Sequence, residues 1–400
     1  MKLLAALAFL VVAACASGPT ASSQSTPSAG SGPFNSQRPA ATVSPTAAAA
    51  GGGSLQNPSP NPLPSGLAVL VDLFPQVPAN SYNVALVAAD GRVAVTANAH
   101  KRSLIAEALE LPYVSASNSR VYYLDGDKDI RYLKADGSSG LVTSVPGSPS
   151  VHAAFAVTPD DARIAVGLLD YSVNPVQLSV YVEDVGGAHH AVIFTSTNHY
   201  VWPVAWHAGR LVVAYLGPQG VPFTSTLTYT GRDKTNYPYG PNAYGGINFH
   251  VINPVTAQRE VIISGGGASG LLTKAGTAVV QGDGVDWSGQ PIFWNSPNDY
   301  GSFSASGSLS PDGKLIAACC PQPGEKGQLV IWYQNGATKF LNVAVTSIDW
   351  VGWFDSTHLV TGFYQRSDGT PSIVDIDSGQ VTPVNAHGIV AAMLPGGLDS

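Results

Sequence analysis

The sequence predicts an all-β fold, specifically a β-propeller built from repeated four-stranded blades. The first observation is a strand-turn-strand unit, clearest at residues 307–320, that recurs along the chain. The second is its spacing, which is close to the roughly 40 to 45 residues of one propeller blade. The third is composition, because 43 Gly and 30 Pro with only 11% charged residues favour short strands joined by turns.

The residue types in the unit at residues 307–320 favour a tight turn between its two strands. Pro311 fixes φ near the value required at the second position of a type I turn, and Asp312 can bond to its own backbone. Gly313 accepts the positive φ that lets the chain reverse. Lys314 then faces water at the start of residues 315–318, an apolar run with the length of a buried strand.

Weaker copies of this unit recur on both sides of it. Their turn residues are Asn118, Asp160, Gly209, Gly276 and Asp355. With Asp312 included, successive turns lie about 36 to 49 residues apart, except for one gap of about 67 residues after Gly209. The regular gaps predict one blade per turn, and the long gap predicts an insertion.

The start of the array predicts how the ring closes. Residues 67–73 form a strand candidate, and residues 82–88 and 92–97 form a hairpin around Asp90-Gly91. Too few residues precede Asn118 to complete a blade, so we expect the first blade to borrow residues 389–394, the last apolar run. Counting this closed blade gives seven blades, and six or eight remain compatible with the pattern.

Two segments carry a family resemblance. Residues 158–165 (T-P-D-D-A-R-I-A) and 310–317 (S-P-D-G-K-L-I-A) resemble the S-P-D-G-K/R-x-I/L-A/V signature of TolB-like and WD-repeat-like β-propellers. The resemblance covers roughly residues 82–394. It implies a toroid of four-stranded blades that often serves as a binding scaffold, and it implies no shared catalytic residue.

The N-terminus predicts a lipoprotein. Residues 1–14 combine a basic start with an apolar run too short to span a bilayer, which is typical of a secretion signal. Residues Val12-Ala13-Ala14 before Cys15 resemble the lipobox of bacterial lipoproteins, which implies cleavage before Cys15 and a lipid on its thiol. The alternative is an ordinary secretory signal with a chance cysteine.

Three segments follow from this pattern. Residues 1–14 are the predicted signal peptide, 15–66 a Ser/Pro/Ala/Gly-rich disordered linker, and 67–400 the propeller domain. We therefore expect an extracytoplasmic protein anchored to a membrane by lipid. The chain has 19 basic and 26 acidic residues, so a nucleic-acid partner is not expected.

One acidic turn is a candidate metal site. Asp125, Asp127 and Asp129 alternate as at the start of a calcium loop, but Ile130 stands where an EF-hand requires Gly. The two readings are a weak Ca²⁺ site and a solvated hairpin turn. The sequence predicts no other cofactor.

Cys319 and Cys320 are the remaining thiols of a chain expected in a compartment that permits oxidation. Neighbouring residues of a strand point to opposite faces, so a bond between them requires the strand to end there. Two free buried thiols, a vicinal disulfide and a metal site are the alternatives.

The long gap contains the insertion at residues 217–246, where aromatic and amide residues stand among glycines and prolines. They are Tyr229, Asn236, Tyr237, Tyr239, Asn242 and Tyr244. Insertions in repeat folds often form the binding face, so this loop is a candidate partner-binding surface. The alternative is a loop that packs across its own blade.

These observations predict a non-catalytic binding or assembly module with an envelope protein or glycan as its partner. The sequence contains no H-E-x-x-H, G-x-S-x-G or P-loop motif, and no catalytic residue is assigned. The alternative is a propeller hydrolase or lyase acting on cell-wall or extracellular glycan. That enzyme would need acidic or histidine residues converging on a mouth of the central channel.

Overall fold

The computed structural model describes residues 58–73, 80–103, 114–218, 248–264, 268–279, 284–293, 307–318, 327–345, 351–363 and 369–399. Within these ranges the chain forms seven four-stranded antiparallel sheets. No helix in them has the length and apolar character that crossing a membrane requires.

The first four sheets contain these strands. Blade 1 has β1 (Leu67–Asp72), β2 (Ser81–Ala88), β3 (Val93–His100) and, from the far end of the chain, β28 (Ile389–Leu394). Blade 2 has β4 (Val114–Ala116), β5 (Val121–Asp125), β6 (Asp129–Leu133) and β7 (Ser139–Ser144). Blade 3 has β8 (Val151–Val157), β9 (Arg163–Asp170), β10 (Gln177–Asp184) and β11 (Ala191–Ser196). Blade 4 has β12 (His199–His207), β13 (Arg210–Pro218), β14 (Asn248–Ile252) and β15 (Arg259–Ser264).

Three more sheets complete the ring. Blade 5 has β16 (Ala268–Thr273), β17 (Gly276–Val279), β18 (Gly284–Val285) and β19 (Pro291–Phe293). Blade 6 has β20 (Gly307–Leu309), β21 (Leu315–Ala318), β22 (Gly327–Tyr333) and β23 (Thr338–Val345). Blade 7 has β24 (Val351–Trp353), β25 (His358–Thr361), β26 (Ser372–Asp375) and β27 (Val381–Pro383).

The ring closes where the sequence predicts. Blade 1 has the strand order β28-β1-β2-β3, whereas the other blades follow chain order. The β28-β1 ladder runs from the Val71↔Ile389 pair to the Leu67↔Leu394 pair, with an irregularity between Val69 and Leu70. The seven-bladed propeller and the strand borrowed from the end of the chain are both confirmed.

The first strand of each sheet lies at the centre of the ring. We call β28, β4, β8, β12, β16, β20 and β24 the inner strands. Contacts join β28 to β4, β4 to β8, β8 to β12, β16 to β20 and β24 to β28. The inner strands therefore surround the central channel.

The side chains of β1 alternate between two neighbouring blades. Val69 and Val71 pack in a cluster with blade 2, whereas Ala68 and Leu70 pack in a cluster with blade 7. Successive side chains of a strand point to opposite faces of its sheet, so a blade between two others buries both faces. For this reason many strands read as continuous apolar runs rather than as alternating apolar and polar residues.

The Pro-Asp-Gly unit forms the predicted turn. The N–H of Gly313 donates to the carbonyl of Ser310 at 3.0 Å, and Gly313 has a φ of 72°. The Ser310 hydroxyl donates to the Asp312 carboxylate at 2.7 Å and accepts from the Leu315 N–H at 3.0 Å. These local bonds connect β20 to β21 and leave Lys314 exposed.

The chain contacts the propeller before its first strand begins. Asn61 donates from its backbone N–H to Asp375 Oδ2 at 2.6 Å and from its amide to Asp375 Oδ1 at 3.1 Å and Asp377 Oδ2 at 3.0 Å. Burial alone would raise the pKa of Asp375, but the N–H donors of Asn61, Ser378 and Asp377 outweigh it and lower the pKa to about 2. The segment before β1 is therefore attached to blade 7.

The propeller has two distinct faces. We call the face that carries the turns between first and second strands the turn face, with Asn118, Asp160 and Asp312 in three of these turns. The connections between second and third strands leave from the other end, which we call the loop face. Both the segment before β1 and the residues after β28 emerge at the turn face.

Candidate functional site

The inner strands enclose a cavity of about 180 Å³ at the turn face. All seven blades contribute to its lining, with residues at or just after the C-terminal ends of the inner strands. Examples in chain order are Ala116, Val157, Trp206, Leu272, Pro311, Trp353 and Leu394. Because these ends meet in one cavity, the inner strands all run toward the turn face, and the cavity is one end of the central channel.

The lining of this cavity is mostly apolar. Among the described residues that line it, the polar side chains are Ser115, Thr273 and Lys274. The Ser115 hydroxyl accepts from the Val157 N–H at 3.0 Å, and the Thr273 hydroxyl donates to the Gly276 carbonyl at 3.1 Å. Both hydroxyls therefore serve the fold, which leaves apolar surface and the exposed Lys274 to meet a ligand.

Two tryptophans at equivalent positions form walls of the cavity. The indole N–H of Trp206 donates to the Ala156 carbonyl at 2.9 Å, and that of Trp353 donates to the Ser308 carbonyl at 3.1 Å. Each acceptor belongs to the inner strand of the preceding blade. The two bonds therefore join blade 4 to blade 3 and blade 7 to blade 6, and they fix the orientation of both rings.

Residues 395–399, which we call the C-terminal tail, cross this end of the channel. The N–H of Gly396 donates to the Ser117 carbonyl at 2.8 Å, and the N–H of Gly397 donates to Asn118 Oδ1 at 3.0 Å. Ser117 and Asn118 belong to the turn that follows the inner strand of blade 2. The chain therefore passes from the last strand of the ring onto the turn of the next blade.

The tail ends at the turn of blade 4. The carbonyl of Leu398 lies 3.3 Å from His207 Nδ1, and Asp399 Oδ1 accepts from the Ala208 N–H at 2.5 Å. Ala208 and Gly209 have positive φ values of 47° and 70°, as in the type I′ turns of two-residue hairpins. The ring of His207 stacks on Trp287 at 4.2 Å, which holds the imidazole beside the tail.

Two glycines allow this close approach. A Cβ atom at Gly396 would lie 2.5 Å from the Ala116 carbonyl oxygen, and one at Gly397 would overlap the Asn118 amide oxygen. Leu398, which follows, is only 9% exposed and belongs to the apolar cluster of blades 3 to 5 that includes Trp206. The tail thus presents backbone to the blade 2 turn and one large apolar side chain to the core.

The acidic turn 125–129 connects β5 to β6 on the loop face. Asp125 Oδ1 accepts from the backbone N–H of His100 and lies 2.8 Å from His100 Nδ1, while Oδ2 pairs with Arg131 at 2.8 Å. Burial would raise the pKa of Asp125, but the bonds from His100 and the charge of Arg131 lower it. This carboxylate therefore already has cationic and N–H partners.

The other two carboxylates of the turn have different partners. Asp127 Oδ1 accepts from the Ser103 N–H at 2.7 Å, and Asp129 Oδ1 accepts from the Ser144 hydroxyl at 2.7 Å. Among the described residues there is no group of three His, Cys, Asp or Glu side chains arranged to hold a metal ion. The weak calcium assignment remains a prediction from the sequence.

A buried polar cluster lies near the loop-face mouth of the channel, where β8 begins. The His152 side chain is 2% exposed, its Nε2 lies 3.2 Å from the Pro149 carbonyl, and its ring contacts Tyr171 at 4.7 Å. Burial and the nearby charge of Arg102 lower the pKa of His152. A neutral, enclosed imidazole of this kind supports packing between the inner strand and its neighbours.

Several predicted residues lie outside the described residues. They are Cys15, the thiols Cys319 and Cys320, and the loop residues Tyr229, Asn236, Tyr237, Tyr239, Asn242 and Tyr244. The strands that flank them are described, since β13 ends at Pro218 and β21 ends at Ala318. The insertion and the cysteine pair each belong to a segment that connects the second strand of a blade to its third.

The residues that form the turn-face site were largely missed by the sequence analysis. Trp206 and Trp353 have a signal in the sequence, because each lies within one residue of the end of an inner strand and just before a predicted turn. Gly396, Gly397 and Leu398 have none, since their partners are distant in the sequence: Gly397 and Asn118 are 279 positions apart.

A comparison with protein-family models finds no match, and neither does a comparison with curated proteins. Solved structures do show similarity. TolB from Acinetobacter baumannii has 13% identity and a TM-score of 0.40, covering 82% of this chain and 65% of the TolB chain. A putative 6-phosphogluconolactonase from Bacteroides fragilis has 13% identity and a TM-score of 0.44, covering 82% of this chain and 97% of its own. A chain of a mitotic checkpoint complex has 17% identity and a TM-score of 0.42, and the match covers 74% of this chain and 82% of that chain.

This chain thus spans 65% of the length of the TolB chain. Its propeller architecture follows from its own strand order and closed ring rather than from these scores.

Proposed function

We propose that the protein is a lipid-anchored, extracytoplasmic β-propeller that binds a partner of the cell envelope without transforming it. The observation that carries this proposal is the apolar cavity at the turn face, walled by Trp206 and Trp353. Trp206 and Trp353 are only 2% and 4% exposed, so they hold the wall rigid, and half-buried apolar residues of the lining such as Pro159 and Phe354 are left to contact a partner. The exposed Lys274 at the rim adds one charge that can orient a partner.

The anchor is the second part of the proposal. Cys15 follows an apolar segment of signal-peptide length, and a long Ser/Pro/Ala/Gly-rich stretch separates it from the propeller. Lipid on Cys15 would hold the propeller near a membrane surface, while the linker would let it reach partners in the surrounding envelope. An envelope protein or a glycan is the expected partner.

The insertion at residues 217–246 is a second candidate binding surface. The insertion between β13 and β14 has the Tyr, Asn and Gly composition of adaptable binding loops. Replacing residues 230–243 with a short Asn-Gly turn should leave the melting temperature nearly unchanged, because a shorter loop costs little closure entropy. Loss of partners from the shortened protein would assign binding to this loop, whereas unfolding would show that the loop packs on its blade.

The experiment that tests the proposal uses the full chain purified from membranes in mild detergent. Immobilised protein should retain specific envelope proteins or glycans in a saturable manner, and soluble excess protein should compete them away. Incubation with cell-wall and extracellular glycans should release no new reducing ends or unsaturated sugars. Glycan cleavage that depends on the protein would overturn the proposal in favour of a hydrolase or lyase.

A further inference from the structure

The C-terminal tail is not part of the ring closure. The ladder between β28 and β1 ends at the Leu67↔Leu394 pair, and the tail begins at the next residue. Blade 1 therefore has its four strands without residues 395–399. The tail lies across the mouth of the cavity and makes its contacts with blades 2 and 4 rather than with its own blade.

The groove that holds the tail contacts it mainly through hydrogen bonds to main-chain atoms of the tail. Two of its contacts are backbone groups of turns, the Ser117 carbonyl and the Ala208 N–H. The other two are the amide oxygen of Asn118 and Nδ1 of His207, and both bond to main-chain atoms of the tail. Recognition through main-chain hydrogen bonds accepts many sequences, so selectivity has to come from the side-chain positions.

Four positions supply that selectivity. The place of Gly396 admits no side chain, because a Cβ atom there would lie 2.5 Å from the backbone carbonyl oxygen of Ala116, and a Cβ atom at Gly397 would displace the Asn118 amide that bonds to the tail. The Leu398 side chain occupies an apolar pocket and is 9% exposed. The place of Asp399 holds a carboxylate between the Ala208 N–H and His207 Nδ1, at 2.5 Å and 3.4 Å.

We infer that this groove is a peptide-binding site and that the protein's own C-terminal tail is its resident ligand. It would take a partner segment of the same chemistry: two glycines, a large apolar residue and a carboxylate. The inference rests on the proposed binding function and names the chemistry of the partner. Until such a segment arrives, the tail covers the cavity and competes for the groove.

The way the tail is held makes exchange feasible. Among residues 395–399, Leu398 is the one buried residue, whereas Pro395 and Asp399 are exposed. The tail remains attached to β28, so it competes at the high effective concentration of a tethered ligand. A free peptide therefore needs a vacated groove to bind well.

The test uses an acetylated, fluorescein-labelled hexapeptide with the sequence of residues 395–400, Pro-Gly-Gly-Leu-Asp-Ser. Fluorescence anisotropy would measure its binding to the full chain and to a chain that ends at Leu394. The shortened chain should bind at least about tenfold more tightly than the full chain. A peptide carrying the change Leu398→Asp should not bind either protein.

A second variant keeps the test valid if the shortened chain folds poorly. In the full-length variant Gly396→Val, the added side chain would clash with the backbone of Ala116, so it should unseat the tail and open the groove to the wild-type peptide. Absence of saturable binding to both proteins, when both unfold cooperatively, would overturn the inference. Equal affinity for the full chain would overturn it too, because the peptide would then bind elsewhere.

Two further results would distinguish which molecule occupies the groove. Light scattering would detect a complex between the shortened chain and the full chain. Such a complex would show that the groove takes the tail of a second copy rather than a partner peptide, and it would overturn the inference as stated. If the peptide fails to bind while envelope partners are still retained, the binding function stands and the groove is a permanent closure.

Discussion

Leu67 pairs with Leu394 in the antiparallel ladder of blade 1, which joins the start of the first strand to the end of the last. Every other blade is built from consecutive strands, so this ladder is where the two ends of the ring meet. Each inner strand lies at one edge of its own sheet, and in the closed ring it packs beside the inner strands of neighbouring blades. The stability of the propeller should therefore depend on β28 more than on any segment of similar length outside the ring.

Deleting residues 388–400 should abolish cooperative folding. The deletion removes β28, so one edge of β1 and the flanks of the neighbouring inner strands lose their partners and aggregation should follow. Thermal melting by circular dichroism and size-exclusion chromatography would measure both effects. The matched control deletes residues 395–400 and keeps β28; it should still unfold cooperatively, with a smaller loss of stability from the buried Leu398 side chain. A 388–400 deletion that melts like wild type would mean that the ring closes elsewhere.

The substitutions Trp206→Phe and Trp353→Phe should each destabilise the protein by about 1 to 3 kcal/mol. Each keeps an aromatic ring but removes an indole N–H, which leaves a buried carbonyl of the preceding blade without this donor. Urea denaturation followed by circular dichroism would give the change in the free energy of unfolding.

Trp332→Phe is the control for this pair. Trp332 is also buried, at 4% exposure, but its indole nitrogen has no hydrogen-bond partner among the described residues. The substitution should therefore cost less than either of the other two. Equal losses at all three positions would show that ring size, rather than the bond between blades, determines the effect.

The protein should lose stability as the pH falls from about 6.5 toward 4. Burial, with the nearby charge of Arg259, lowers the pKa of His250 from 6.5 to about 4. The unfolded chain takes up this proton below pH 6.5, whereas the folded chain does so only near pH 4, so protons favour unfolding in this window. The loss should be about 2 kcal/mol at pH 4.5, and His152, whose pKa is also lowered, adds in the same direction.

The substitution His250→Phe isolates this contribution. Phenylalanine cannot titrate but can keep the stacking on Tyr215, where the ring centroids are 4.7 Å apart. Denaturation curves between pH 7.5 and 4.5 should be flatter for the variant than for wild type. An equally steep loss in both proteins would place the titrating group elsewhere.

The substitution Cys15→Ser should release the protein from membranes. Lipid on Cys15 is the proposed anchor, and acyl chains can hold a protein at a membrane without a spanning segment. Fractionation of cells into soluble and membrane material would measure the distribution. Retention of the variant in the membrane fraction, without acylation, would contradict the assigned anchor.

The sequence predicts much of the fold because the turns are local. Ser310, Asp312 and Gly313 complete their turn with bonds that span at most five positions, so the same residues in the sequence indicate the same reversal. The closing strand could be predicted by counting, since the residues before Asn118 are too few for a blade. Both arguments need only short segments and a repeat length.

The turn-face site could not be predicted in the same way. Glycine is required at positions 396 and 397 because Ala116 and Asn118 lie close to them, and only the closed ring brings these residues together. The apolar lining is likewise assembled from seven strands, none of which differs in sequence from an ordinary buried strand. The candidate that the sequence analysis named was the insertion at residues 217–246, where composition alone gave a signal.

The central claim is that partners bind at the turn face, and a charge reversal on each face tests it most directly. Lys274 is exposed at the rim of the cavity, and Lys128 is exposed in the 125–129 turn of the loop face. Full-length Lys274→Glu and Lys128→Glu would be compared with wild type by quantitative recovery of envelope partners, after checking that all three melt alike. Lys274→Glu should lower partner affinity about tenfold, or about 1.4 kcal/mol, while Lys128→Glu should leave it unchanged. Loss of partners with Lys128→Glu and full retention with Lys274→Glu would contradict the claim.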